Sequence, residues 1–224
     1  MKANVQKKKI TGNGFLLLIT IALFVVMYVA GMIVFADKGF AKPQMFLNLF
    51  VSNAGLLVIA CGLTIVMITG GIDISVGSVT ALVCMVLADL MENKGVNAYA
   101  AVLVALLIGV AFGIVQGFLV AYLDIQPFIV SLAGMFFARG MTTIVNTNPF
   151  NVANEQFVAL KDTRITIPGM GSVNKLGNYV NAYIEIGVVV ALLVVILLFC
   201  VLRFTKFGRK FYAVGGNSQS ALML

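Results

Sequence analysis

The chain has 224 residues, of which 61% are hydrophobic and only 10% are charged, and its formal net charge is +7. This composition excludes a soluble globular protein and indicates an integral membrane protein. The apolar stretches are continuous, whereas the strands of a membrane barrel alternate in segments of about ten residues. The sequence therefore predicts an all-α fold, a polytopic bundle of membrane helices.

Six apolar stretches are predicted to cross the membrane. In chain order they are Phe15–Ala36, Leu47–Thr69, Val79–Leu90, Ala98–Leu123, Phe128–Val145 and Ile184–Leu202. The third stretch would form a helix only about 18 Å long, which is too short for a hydrocarbon core of about 30 Å. Because it follows a glycine-rich segment, and because short or interrupted segments are typical of transporters, we expect one discontinuous helix near Gly70–Ser78.

The interrupting segment reads Gly70-Gly-Ile-Asp-Ile-Ser-Val-Gly-Ser78. Irregular backbone persists at membrane depth only where protein or water satisfies its polar groups. Asp73 is expected to accept hydrogen bonds from the N–H groups that begin the next helix, whereas Asp89, near the end of a span, is expected to tolerate alanine. A short polar turn at the membrane face is the alternative. The residues predicted to shape the break or line a path are Gly70, Gly71, Asp73, Ser75, Gly77 and Ser78.

Two polar residues and a stripe of small residues mark the next two spans. Arg139 either lines or gates the path or extends its side chain to the membrane surface. Gln116 is interpreted as forming an interhelical hydrogen bond in preference to contacting substrate. Small side chains let membrane helices approach closely, so the helix that carries the stripe is expected to be central. The stripe consists of Ala101, Ala105, Gly109, Gly113, Gly117 and Ala121.

Basic residues flank the outermost spans. Lysines at positions 2, 7, 8 and 9 precede the first span, and Arg203, Lys206, Arg209 and Lys210 follow the last. By the positive-inside rule both termini are cytoplasmic. Nucleic-acid binding is not favoured, because cations beside apolar spans are ordinarily topology signals. The stretch Asn146–Tyr183 is then external, either as a docking surface or as a cover over the outer mouth.

The residue types that are missing limit the chemistry. The chain has no histidine, which excludes the common metal sites and the Ser-His or Cys-His pairs of hydrolases. It has no G-x-x-x-x-G-K-[S/T] segment, so P-loop hydrolysis of nucleotide is excluded. Its three cysteines fall in apolar spans and are interpreted as packing residues. We therefore expect no enzyme activity and no cofactor, and uphill transport would draw on a partner or an ion gradient.

Three segments together carry a resemblance to a known family. They are the break at Gly70–Ser78, the segment Gln126–Gly140 and the segment Phe207–Asn217. In order and spacing they resemble the permease subunit of bacterial ABC importers for monosaccharides, the ribose/xylose/galactofuranose group. The resemblance implies a location in the bacterial inner membrane and a monosaccharide substrate. It also implies three protein partners: a periplasmic sugar-binding protein, a cytoplasmic ATP-binding subunit, and a second permease copy or homologue.

The resemblance also gives the C-terminal segment a role. Residues 203–224 would form a cytoplasmic coupling segment that docks into a groove of the ATPase. Its glycines are expected to allow the tight turns of a short docking helix, its cations to pair with acidic groups, and its tyrosine to be a buried anchor. The expected coupling residues are Gly208, Arg209, Tyr212, Gly215, Gly216 and Asn217.

Members of this family continue with further spans, so residues 1–224 are expected to be the N-terminal part of a single permease domain from a truncated or split subunit. An ion-coupled secondary transporter or channel is the alternative. It would use a buried Asp73 to bind an ion and would not need the segment Gly208–Asn217. A membrane-embedded enzyme would be expected to carry histidine, paired carboxylates or a nucleotide motif.

The six-span topology predicts which cysteines an impermeant thiol reagent can reach in intact cells. After the native cysteines are shown to be silent, Ser172→Cys should react and Ser218→Cys should be protected, because only the former would be external. Labelling at position 218, or protection at position 172, would contradict the topology.

Overall fold

The computed structural model describes residues 12–148, 150–173 and 177–216. Eight α-helices, a 3₁₀ turn and two strands are formed within this part of the chain. In order they are α1 (Gly12–Val34), the 3₁₀ turn (Ala36–Lys38), α2 (Pro43–Ile68), α3 (Val76–Glu92), α4 (Ala98–Ala121), α5 (Pro127–Val145), α6 (Glu155–Lys161), β1 (Arg164–Val173), β2 (Tyr179–Glu185), α7 (Ile186–Phe204) and α8 (Lys206–Gly216).

The predicted class, a helical membrane protein, is confirmed. Among the described helices, α1, α2, α4, α5 and α7 are long and apolar enough to cross a membrane. Helix α3 corresponds to the short third stretch and has 17 residues, about 25 Å, which extends the predicted stretch at both ends. The interruption before it is also confirmed, because α2 ends at Ile68 and α3 begins at Val76.

A small two-stranded sheet, β1 with β2, was not predicted. It lies within the stretch Asn146–Tyr183 and the first residues beyond it, where the sequence analysis assigned only a docking surface or a cover. Glycines interrupt the alternation of side chains in this stretch, so its sequence gives little indication of strand. The sheet is too small to change the assignment of the chain to the helical membrane proteins.

The chain divides into two compact units. The first contains the described residues up to Leu49 together with Thr166–Tyr183. Within it the side-chain amide of Gln44 forms two bonds with the backbone of Tyr183, accepting from its N–H at 2.8 Å and donating to its carbonyl at 3.2 Å. The ring of Tyr28 stands 5.4 Å from that of Phe40, so aromatic packing holds α1 to the chain that follows it.

The second unit, Phe50–Ile165 with Ile184 to the end of the described chain, contains the interruption. Helix α3 packs against both α4 and α5. Helix α2 packs on α7 through Ala54, Val188 and Ala191, all buried. Small side chains at these positions allow the close approach on which helix association in lipid depends.

Part of the stretch Asn146–Tyr183 covers the ends of α3 and α4. The carboxylate of Glu92 accepts the backbone N–H groups of Ala153 and Asn154, at 2.8 and 2.7 Å. The Gln156 carboxamide accepts the N–H of Ala98, at the start of α4, at 3.3 Å. In the second unit this stretch therefore acts as a cover over the helix ends.

Asp89 is more buried than its position near the end of a span suggests. The residue is only 7% exposed, and its carboxylate accepts a hydrogen bond from Asn93 Nδ2 at 2.7 Å and pairs with Lys94 Nζ at 3.5 Å. Asn93 and Lys94 are both exposed, so water can replace the carboxylate as their partner. The tolerance of Asp89 to alanine therefore stays a prediction.

The small-residue stripe of α4 is packed at only one end. Ala101 and Ala105 are buried, but no described atom would lie within 4 Å of a Cβ added at Gly109, Gly113 or Gly117. The expectation of a fully central helix therefore holds only for the first half of α4 in the described chain.

The close contact between α4 and α5 depends instead on Gly134. A Cβ at Gly134 would overlap Nε2 of Gln116 and approach the ring of Phe112 at 3.2 Å. The Gln116 amide thus occupies the space that a side chain at position 134 would fill. Nothing described lies within 4 Å of a Cβ at Gly140, two turns further along α5.

These two glycines should respond oppositely to alanine. Gly134→Ala should lower the free energy of unfolding by about 1 kcal/mol, because the Gln116 amide must turn aside and lose its hydrogen bond to Ser75. Gly140→Ala is the matched control on the same helix and should be neutral or stabilising by up to about 1 kcal/mol, because alanine favours helix. Thermal unfolding of the detergent-solubilised chain measures both, and equal effects would contradict the packing role of Gly134.

Candidate functional site

Two glycines end α2 at the interruption. The N–H of Gly70 bonds to the carbonyl of Met67, and the N–H of Gly71 bonds to that of Val66, each at 3.0 Å. This is a Schellman cap, in which the first glycine takes the left-handed conformation, here with φ +83°. Gly71 is placed for a close approach, since a Cβ there would meet a Val66 methyl at 3.2 Å and Pro127 Cβ at 3.6 Å.

Asp73 organises the start of α3. Its Oδ1 accepts the backbone N–H of Ser75 at 2.8 Å and the Ser75 hydroxyl at 2.6 Å. Ser75 is 1% exposed and precedes the first residue of α3, so the carboxylate satisfies a buried donor at a helix N-terminus. The geometry agrees with the expected bond from Asp73 to the freed N–H groups.

Two side chains fasten the interruption to the neighbouring helices. Gln116 of α4 donates from Nε2 to Ser75 Oγ at 3.1 Å, so the preferred interpretation of Gln116 as an interhelical residue is confirmed. Ser131 of α5 is buried, and its hydroxyl lies 3.2 Å from the carbonyl oxygen of Ile72 and 3.0 Å from that of Phe128. The break is therefore held from two sides by protein groups, as irregular backbone in a membrane requires.

A polar pocket of about 370 Å³ lies between the start of α3 and the middle of α5. Three of the predicted pathway residues meet in it: Gly77, Ser78 and Arg139. Asp73 does not line it. The remaining lining residues are Ile74, Ala81, Met135, Thr142 and Thr143. The Thr142 hydroxyl donates to the carbonyl of Ala138 at 2.8 Å, which leaves its oxygen free to accept.

A larger cavity of about 540 Å³ lies between α3, α4 and α5. Its lining is almost wholly apolar, and Gln116 is its one residue with a polar side chain. Such a surface offers a hydrophilic solute no set of hydrogen bonds. The smaller pocket therefore carries the polar chemistry of this region, although among the described residues no cluster of acidic or cysteine side chains could hold a metal ion.

Helix α8 contains the expected coupling residues up to Gly216, while Asn217 lies outside the described residues. The side chains of Arg209, Lys210 and Tyr212 are exposed. Thr205 is the N-cap of α8, since its hydroxyl accepts the N–H of Gly208 at 3.3 Å. None of these side chains pairs with a described acidic group.

The glycines of α8 do not form the expected tight turns. Gly208, Gly215 and Gly216 are helical, and none has a positive φ. Gly208 is buried, and a Cβ there would overlap the backbone of Leu202 in α7. A Cβ at Gly215 would overlap the carbonyl oxygen of Ile68, whereas Gly216 has open space around it. Glycine is therefore needed at positions 208 and 215 because the backbones approach closely there, and not because the chain turns.

Sequence reasoning missed several residues of the site. Ser131, Thr142 and Thr143 were available as hydroxyl side chains in an apolar span, and Thr142 and Thr143 follow Arg139 at three and four residues, on the same helix face. Gly134 carried no local signal, because its partner Gln116 lies on another helix.

The comparison with known protein families concerns residues 45–224. This part of the chain matches the family described as the branched-chain amino acid transport system / permease component. The chain belongs to this permease family. The family match begins within α2 and continues through α8, and therefore includes the interruption, the polar pocket and α8.

Curated relatives carry transport names. The inner membrane ABC transporter permease protein YjfF of Escherichia coli is 36% identical over 93% of this chain and 59% of its own length. The fructose import permease protein FruG of Bifidobacterium longum is 32% identical over 99% of this chain and 65% of its own. The autoinducer 2 import system permease protein LsrC of Yersinia pseudotuberculosis is 29% identical over 91% of this chain.

The chain thus spans less than two thirds of the length of the first two relatives. No solved structure matches it. The resemblance to permease subunits of ABC importers is confirmed by the family and by these relatives, and with the five apolar helices it identifies a multi-pass membrane protein.

The role of Asp73 can be tested against a second aspartate. Asp73→Ala should lower the free energy of unfolding by about 1–3 kcal/mol, because it leaves a buried N–H without an acceptor. Asp37 is exposed in the 3₁₀ turn, so Asp37→Ala should change stability by less than about 0.5 kcal/mol. Detergent thermal unfolding and the monodisperse yield on size exclusion report the difference. Equal tolerance of both substitutions would show that the break does not need the carboxylate.

Proposed function

We propose that the chain is the N-terminal part of the permease subunit of an ATP-driven monosaccharide importer in the bacterial inner membrane. It would be one permease domain over residues 1–224, forming part of the translocation pathway. A periplasmic sugar-binding protein would deliver substrate, and a cytoplasmic ATP-binding subunit would drive the cycle. A second permease copy or homologue would complete the pathway. The chain itself would catalyse no reaction.

The polar pocket at the interruption is the observation that carries this proposal. A monosaccharide presents several hydroxyl groups, each a donor and an acceptor, and needs a matching set on the protein. Arg139 supplies only donors, while Thr142 and Thr143 donate to their own helix and keep accepting lone pairs. The pocket therefore offers a neutral polyol both hydrogen-bond donors and acceptors.

Ion coupling receives less support from the same region. Carboxylate oxygens are the strongest side-chain ligands for a coupling cation, and no acidic residue lines this pocket. The Asp73 oxygen that faces the break already accepts two bonds from Ser75. Asp73 is better suited to fix the helix start than to bind and release an ion.

The coupling role of α8 rests on its exposed face. Arg209 and Lys210 are exposed cations, and they can pair with carboxylates on an ATPase. Tyr212 and Phe207, 55% and 68% exposed, supply apolar area for a partner to bury. These features fit the proposed cytoplasmic docking segment 203–224, with both termini of the chain on that side.

Substituting Thr142 in the assembled transporter tests the pocket. Thr142→Val should raise the apparent KM for sugar uptake about three- to tenfold by removing one hydrogen bond to the substrate. Thr64→Val is the matched control, since Thr64 in α2 makes the same bond to its own helix, at 2.7 Å, without lining the pocket. Arg139→Ala should have the larger effect, about tenfold or more, because a charged donor is lost.

Initial rates of labelled-sugar uptake, measured with the binding protein in excess, give these constants. Unchanged KM for Thr142→Val and Arg139→Ala would remove the pocket from the pathway. Uptake that persists without ATP and follows an ion gradient would instead favour the secondary transporter.

A further inference from the structure

Helix α8 touches the end of α2 directly through its backbone. A Cβ at Gly215 would overlap the carbonyl oxygen of Ile68 and lie 3.4 Å from the Cα of Thr69. Only a residue without a side chain allows this approach. The next residue, Gly216, would meet nothing described within 4 Å, so the two adjacent glycines are not equivalent.

A second glycine fixes the other end of α8. Gly208 lies two turns before Gly215, on the same face, and a Cβ there would overlap the backbone of Leu202 near the end of α7. Helix α8 therefore rests on α7 at its start and on α2 at its end. Its opposite face, with Arg209 and Lys210, is exposed.

The contact point on α2 is the residue at which the helix stops. Ile68 is the last residue of α2, and the Schellman cap that closes on Val66 and Met67 begins immediately after it. From there the backbone leads within a few residues to Asp73, whose carboxylate fixes Ser75. Displacing the end of α2 must therefore shift the cap, or the bonds of the interruption to its neighbours, because close-packed interiors transmit displacement.

The same few residues form one side of the polar pocket. Ile74 belongs to the interruption, and Gly77 and Ser78 lie in the first turn of α3. The carbonyl of Ile72 is bonded to Ser131, on α5, the helix that carries Arg139 on the opposite side of the pocket. A movement that enters at Ile68 therefore reaches both the interruption and the wall of the pocket.

We infer that Gly215 is a positioning residue through which α8 sets the conformation of the interruption, and with it the polar pocket. This inference rests on the proposed function, because it gives the ATPase-driven movement of α8 a direct route to the pathway. In this role Gly215 acts through its approach to Ile68 and Thr69 at the end of α2.

Alanine substitutions in the assembled transporter test this route. In complexes purified from the native membrane, Gly215→Ala should keep the ATPase bound and its ATP hydrolysis within about twofold, but should lower sugar transported per ATP about tenfold. Gly62→Ala, in α2, where an added Cβ would meet nothing described within 4 Å, should leave this ratio unchanged, although both substitutions raise helix propensity alike. Tyr212→Ala should instead reduce binding of the ATPase.

A double substitution identifies the path. If Gly215 acts through the interruption, Asp73→Ala combined with Gly215→Ala should lower the transport ratio less than the product of the two single effects, because both act on one element. Independent effects that multiply would overturn the inference, as would equal transport ratios for Gly215→Ala and Gly62→Ala.

Hydrogen exchange on the unsubstituted complex provides a measurement that does not depend on a variant folding. Binding of a non-hydrolysable ATP analogue should change the exchange of backbone amides in residues 69–76, and unchanged exchange there would overturn the inference. A different result tests the proposed function. If the unsubstituted chain binds no ATPase, both proposals fail. If transport is coupled to ATP hydrolysis but Gly215→Ala does not change the transport ratio, only the inference about Gly215 fails.

Discussion

The backbone polar groups of Thr69–Ser75 impose the constraint on which the second unit depends. Once a helix stops within an apolar environment, each freed N–H and C=O group needs a partner, and water is not generally available. The chain provides these partners from the Schellman cap, the Asp73 carboxylate and the Ser131 hydroxyl, and the Gln116 amide holds the interruption by donating to the Ser75 side chain. The packing of α3 against α4 and α5 follows, because two of the four groups come from those helices.

Missing side chains matter as much as hydrogen bonds in this structure. Gly134 makes room for the Gln116 amide, Gly208 lets α8 meet α7, and Gly215 lets it meet α2. In each case the partner is a polar or backbone atom, so the contact joins elements that hydrophobic packing alone would hold loosely in lipid. The interruption, the polar pocket and the proposed coupling helix are thereby joined within one unit.

The sequence was sufficient for features that depend on local pattern. Apolar length predicted the spans, the glycine pair with Asp73 predicted the interruption, and the isolated Gln116 predicted an interhelical bond. Features that depend on a distant partner were not predictable: Gly134 and Gly140 look alike in sequence, as do Gly215 and Gly216, and only the fold separates them. The sheet β1–β2 was missed because glycines obscure its pattern. The burial of Asp89 was missed although its partners Asn93 and Lys94 lie only four and five residues further along the chain.

The Schellman cap has a consequence for the order of assembly during synthesis. Its bonds join residues only three and five positions apart, so the cap can close as soon as α2 and Gly71 have left the ribosome. The bonds from Gln116 and Ser131 must wait for α4 and α5, and the contact of Gly215 comes after every described span has been made. The interruption is thus shaped first and fastened later, and the helix that rests on it at Ile68 arrives last.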